Sequence, residues 1–306
     1  MTTLWRSLTP PQRRSIVILT VVAAGLYLTM RWLPTGTNLS HMDFRVAEKG
    51  AIEFCDPANP QFIPVVAAKS PVTLTLTSDI VPAQRKEIGF TLTLRTASGK
   101  PIAPEDLLVT HTRKLHLLVA DPTLQDYQHV HPEPGKRAGE WVFKLTPDRP
   151  GTYRVFADFT PAATARGLYA SADFNVPGEV ARVIRTTNVT AQIPGYNFEL
   201  VMPALFRAGV PTDLKFRIET PGAEKRPVVL QPVMGAFAHL VAFDEARSGF
   251  AHLHPNEVDL AKPPDALHPE LTFKITIPQP GRYVIWAQVN LDGRETFVPF
   301  WLDVLP

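Results

Sequence analysis

Six histidines fall into two sets with the same internal spacing: His116, His129 and His131, then His239, His252 and His254, each 123 residues further along the chain. The first set lies in KLHLLVADPTLQDYQHVHPE and the second in FAHLVAFDEARSGFAHLHPN. Both passages hold a histidine, an apolar run, an aspartate opening a turn (Asp121 or Asp244) and then His-x-His-Pro, so the likeness is an internal repeat. Neutral imidazole nitrogen ligates zinc and copper, and three such rings leave room for water or an exogenous ligand on the ion. Copper has the highest intrinsic affinity among the divalent first-row ions and is the expected metal, with zinc as the alternative.

For three rings to meet, the strands that carry them must share a face. Residues i and i+2 of a strand point the same way, which pairs His129 with His131 and His252 with His254. A hairpin closed at the Asp121 turn with an even register sets His116 opposite His131 and Leu118 opposite His129. Leu115, Leu117, Val119 and Val130 then face the core, as do Leu240, Ala242 and Leu253 in the second copy, and each triad lies on the solvent-facing side of its hairpin. A slip of one residue would part the lone histidine from its partners. One metal site per copy is the expectation. His111 has Met234 at the equivalent place; either is a candidate weak fourth ligand, although solvent or core contact is the plainer expectation. Glu133 is replaced by Asn256 and Asp158 by Gln288, which argues against a repeated catalytic carboxylate.

The length of 306 residues suits about two domains. The 31 prolines, with 45% hydrophobic and 20% charged residues, favour a globular chain of short strands and turns over long helices. Alternating segments such as VTLTLT, IGFTLTLRT, WVFKLT and YRVFADF in the first half match FELVMP, LKFRIE, LTFKITI and YVIWAQV in the second. Pro150-Gly151-x-Tyr153 recurs as Pro280-Gly281-x-Tyr283, a pattern that resembles the tyrosine corner of Greek-key sandwiches. The expected fold is all-β: two tandem immunoglobulin-like or cupredoxin-like Greek-key β-sandwiches, at 70–177 and 190–306, joined by 178–189. Residues 35–69 are expected to be an irregular juxtamembrane segment, with one edge strand over Phe44–Phe54.

Arg6, Arg13 and Arg14 precede a mainly apolar run from Ile16 to Met30, which Trp32 and Leu33 extend. The expectation is an uncleaved transmembrane anchor within residues 1–34, a cleaved signal peptide being the second reading. Positive charge ahead of the run keeps the amino end cytoplasmic and puts the bulk of the chain on the periplasmic side of a bacterial inner membrane. Net charge of +2 on scattered lysines and arginines gives no nucleic-acid surface. The single cysteine, Cys55, excludes an intrachain disulfide and a CxxC site, and no cysteine falls in either repeat to make a blue-copper centre. There is no Gly-x-Ser-x-Gly elbow, phosphate loop or HExxH helix.

The two histidine passages, together with RPGTYRVFADFTPA and QPGRYVIWAQV, resemble uncharacterised bacterial exported proteins with cupredoxin-like or YtkA-like sandwich domains, over roughly residues 70–306. The resemblance implies an extracytoplasmic β-sandwich protein concerned with metal handling or envelope machinery. The leading expectation is a membrane-anchored periplasmic metal-binding protein for copper sequestration or delivery. A non-enzymatic envelope interaction module with a protein partner stands second. Metal-assisted catalysis stands third.

Overall fold

The computed structural model describes residues 8–32, 39–44, 61–68, 70–183 and 186–306. They belong to two compact units, Met1–Asn38 and Leu39–Pro306. In the first lies helix α1 (Pro10–Trp32), whose first turn is capped by Gln12. Thr9 precedes Pro10, and the Gln12 side chain accepts the Thr9 backbone N–H at 2.8 Å. The side chains of Ile16, Leu19, Val21 and Leu26 are exposed. Among the described residues no helix is long and apolar enough to cross a membrane. The expected spanning anchor is therefore not supported by α1 as described, whose first turns carry Gln12, Arg13 and Arg14.

The second unit is built of two strand sets with the same plan. In the first, β1 (Val72–Ser78), β2 (Ile88–Thr96), β5 (Glu133–Pro134) and β6 (Glu140–Leu145) form one sheet in the order β1-β2-β6-β5. Strands β3 (Leu115–Ala120), β4 (Tyr127–Val130), β7 (Gly151–Phe159) and β8 (Leu168–Val176) form another in the order β4-β3-β7-β8. The second set repeats this. Strands β9 (Thr190–Ile193), β10 (Tyr196–Val201), β11 (Thr212–Glu219) and β15 (Glu270–Ile275) make one sheet. Strands β12 (Leu230–Gln231), β13 (Ala238–Asp244), β14 (Phe250–Leu253), β16 (Gly281–Leu291) and β17 (Arg294–Val304) make the other. Alternation along β2 and β11 sends every second side chain inward, as a half-buried strand requires. Leu92, Trp141, Leu117 and Val155 meet in one core, and Leu214, Phe273, Leu240 and Ile285 in the other.

Both expected corners form. Tyr153 Oη accepts the backbone N–H of Arg149 at 3.0 Å and donates to Asp126 at 2.6 Å. Tyr283 Oη donates to the backbone carbonyl of Gln279 at 3.0 Å. Each tyrosine thereby ties the start of a central strand to the turn four residues upstream.

Of the segment expected to be irregular, residues 61–66 pair with the second strand set. Ile63 exchanges backbone hydrogen bonds with Phe250 at 2.7 and 3.1 Å, and Gln61 pairs with Thr276. Gly249 makes this approach possible, because a Cβ there would lie 1.8 Å from the Ile63 carbonyl oxygen. Of the strand expected over Phe44–Phe54, only Phe44 lies within the described residues, buried in a short 3-10 turn (His41–Phe44). Cys55 lies outside them.

One expectation is overturned. The outer faces of β3 and β13 do not meet solvent. They face each other, and a third apolar cluster joins Leu118, Tyr127 and Phe156 of the first set to Val241, Phe243 and Trp286 of the second. Every residue of β3 is buried, and so is every residue of β13 except Asp244. The reason is already in LHLLVA and AHLVAF, which are apolar on both faces and need cover on both.

Candidate metal centre

The Asp121 and Asp244 turns set the hairpins. The Asp121 carboxylate accepts the backbone N–H groups of Thr123, Gln125 and Asp126 at 2.7 to 2.8 Å, and Asp244 accepts that of Ser248 at 2.6 Å. Satisfying those loop amides fixes the register. Leu117 pairs with Val130 and Leu118 with His129; Leu240 pairs with Leu253 and Val241 with His252. This is the even register, and it gathers each triad. His116 Nδ1 lies 3.2 Å from His129 Nε2 and 3.2 Å from His131 Nε2. His239 Nδ1 lies 3.3 Å from His252 Nε2. Within each triad the three candidate ligand nitrogens all lie within 4.8 Å of one another.

The outward nitrogens decide what the inward ones can do. His116 Nε2 donates to the Thr110 carbonyl at 3.0 Å, and His239 Nε2 donates to the Val233 carbonyl at 2.9 Å. Carbonyl oxygen only accepts, so both rings carry their proton on Nε2 and present a bare Nδ1. His129 Nδ1 donates to Gln288 Oε1 at 2.9 Å, and the Gln288 amide is held in that orientation by donating its Nε2 to Glu295 at 2.9 Å. His252 Nδ1 faces the Asp158 carboxylate at 3.2 Å. In each triad, then, two nitrogen lone pairs point at one another across 3.2 or 3.3 Å with no proton between neutral rings. His254 Nε2 is buried and has no hydrogen-bond partner among the described residues.

A proton could join such lone pairs, but burial opposes it. Desolvation lowers the pKa of all six rings, with neighbouring histidines adding to the effect. His131 is pushed down to about 3 and His239 to about 4. A metal ion removes the conflict. Ligand nitrogens at 2.0–2.1 Å around a tetrahedral ion stand about 3.3 Å apart, which matches the spacing here. The donor set fits zinc or copper.

The two triads do not stand apart as one solvent-facing site per sandwich. His129 and His252 are 5.4 Å apart by ring centroids, and His116 and His252 are 5.7 Å apart. Nor are their supports local. Asp158 pairs across the sheet with His116 but supports His252, and Gln288 pairs with His239 but supports His129. Such partners orient a ligating ring and raise its basicity. Dissimilarity between Asp158 and Gln288 had argued against a shared role, yet the role needs only a hydrogen-bond acceptor. The available signal was a polar residue at the same place in two apolar central strands, YRVFADF and YVIWAQV.

His111 also belongs to the cluster. It stacks on His254 with centroids 3.6 Å apart and planes 16° apart. Its turn, Thr110–Arg113, is closed by two backbone hydrogen bonds, as is the equivalent turn Val233–Ala236. Positive φ at His111, Thr112, Met234 and Gly235 makes both turns type I′.

A family model described as a domain of unknown function, DUF8832, matches the chain twice, over residues 67–178 and 191–305. No curated protein matches it. Among solved structures, a protein from Corynebacterium diphtheriae described as membrane anchored is 10% identical, with a TM-score of 0.24 over 76% of this chain and 59% of that one. The fibronectin(III)-like modules of CbhA from Clostridium thermocellum are 11% identical, with a TM-score of 0.20 over 76% of this chain and 94% of theirs. The chain thus spans about three fifths of the first of these.

Proposed function

The chain belongs to the DUF8832 family, and we propose that its two copies here build a metal-binding protein whose ion is copper, with zinc as the alternative. The observation that carries this reading is the facing of bare nitrogens across 3.2 and 3.3 Å in both triads, with the outward nitrogens already engaged. Copper is favoured over zinc on intrinsic affinity for such a site.

Sequestration or delivery suits the surroundings better than catalysis. His131 lines a groove of about 600 Å³ whose walls hold two carboxylates, Asp79 and Glu133, against one cation, Lys144, a balance that favours entry of a cation toward the first triad. The repeated tyrosine corners support reading residues 70–177 and 190–306 as Greek-key sandwiches of immunoglobulin-like or cupredoxin-like kind, with 178–189 as their joint. Placement outside the cytoplasm, held by residues 1–34, rests on the arginines ahead of the apolar run.

Metal analysis of the full-length, untagged chain tests the reading. After loading with Cu(II) or Zn(II) and desalting, the expected content is about two ions per chain, one for each triad. His129→Ala with His131→Ala is expected to leave about one. His268→Ala, outside the cluster, is expected to change nothing. Unchanged stoichiometry in the double variant defeats the assignment.

A further inference from the structure

We infer that the two triads work as a single dinuclear centre, its ions close enough to interact and each held in part by the opposite sandwich. This rests on the metal-binding reading above. His252 lies 5.4 Å from His129 and 5.7 Å from His116, and His239 lies 6.4 Å from His129. An ion bonded to a ring nitrogen at 2.0–2.1 Å sits about 3 Å from that ring's centroid, so ions on His129 and His252 are at most about 12 Å apart. His111 stands between the sets, with its centroid 6.2 Å from His116, 6.1 Å from His252 and 6.4 Å from His239.

The supports are crossed as well as close. Gln288 sits beside His239 and holds His129; Asp158 sits beside His116 and holds His252. An ion drawing on His129 therefore pulls, through Gln288, on β16, the strand paired with β13 and its His239. Neither site is complete without the opposite sandwich. Filling one orders the second, and the coupling is reciprocal. The contact of the two I′ turns, where Gly235 would bring a Cβ within 3.5 Å of Thr112, ties the loops in the same way.

Electron paramagnetic resonance of the full-length chain carrying two equivalents of Cu(II) tests this. The reference is the same chain loaded with about one Cu(II) to nine Zn(II), in which almost every copper has a diamagnetic neighbour and no substitution is needed. Dipolar broadening of the fully loaded sample against that reference is the expected result, and it should vanish in His131→Ala, which leaves one triad. Two bound ions with spectra superposable on the diluted reference would overturn the dinuclear inference and leave metal binding standing. Failure to retain ions of either kind, Cu(II) or Zn(II), would overturn both.

Discussion

His129 of the first triad rests its outward nitrogen on the amide of Gln288, whereas His252 of the second rests it on the carboxylate of Asp158. The ligand types, the spacing and the tautomers that can be assigned are alike in the two triads; the supports are not. A carboxylate makes the ring it holds a stronger donor than an amide does. The second triad is thus expected to bind its ion more tightly. The first has its own distinction, a groove that reaches His131. Duplication kept the histidines and let their neighbours diverge.

The largest effect that can break this comparison comes from replacing the supports. Asp158→Asn is expected to weaken the tighter step of a two-step metal titration by about 10–100-fold while moving the weaker step little. Gln288→Leu should spread the two steps apart by removing the acceptor that holds His129 and so weakening the first triad. Competition with a chromogenic chelator reads both steps, and a response confined to the weaker step after Asp158→Asn would reverse the ranking.

A second effect is common to both triads. Burial holds His131 at about 3 and His239 at about 4 against 6.5 for a free ring. Between those values the unfolded chain takes up protons that the folded chain refuses, so stability rises with pH across the interval. The metal-free protein should lose stability as pH falls from about 6.5 toward about 4, and should change little above 6.5. A melting temperature that stays flat from neutral pH down to that range would contradict buried neutral rings. The pull of Asp158 on His116 opposes this trend without overcoming desolvation.

The smallest effect separates the two type I′ turns. Thr112 holds a φ of 68°, a conformation that is strained for a β-branched residue, where the second copy has Gly235 at 78°. Thr112→Gly should stabilise the chain by about 1 kcal/mol in urea unfolding, and Gly235→Thr should cost a similar amount. If neither changes the midpoint, the turns are equivalent in energy despite their residues.

Much of the site was legible from period and repetition. The i, i+2 rule put His129 with His131, and matching polarity in the two copies favoured an even hairpin register over an odd one. The structure pairs Leu118 with His129 and Val241 with His252 as that reasoning requires. Tyr153 and Tyr283 were readable as corners for the same reason, since a corner is built from residues a few positions apart. The spanning anchor was read from Ile16–Met30, but the described helix does not support it.

What the chain itself determined is therefore local: which side chains share a face, where hairpins turn, and that one half repeats the other. Only the tertiary structure decided what covers those faces. Leu118 and Phe243 needed apolar cover, but no spacing rule says that the cover is the opposite sandwich, because the partners are far apart in sequence, as Phe156 and Phe243 are. That packing turned two solvent-facing sites into one buried cluster. It brought Asp158 and Gln288 to rings they do not neighbour in their own sheets and placed His111 on His254, since burial, unlike strand periodicity, depends on the whole chain.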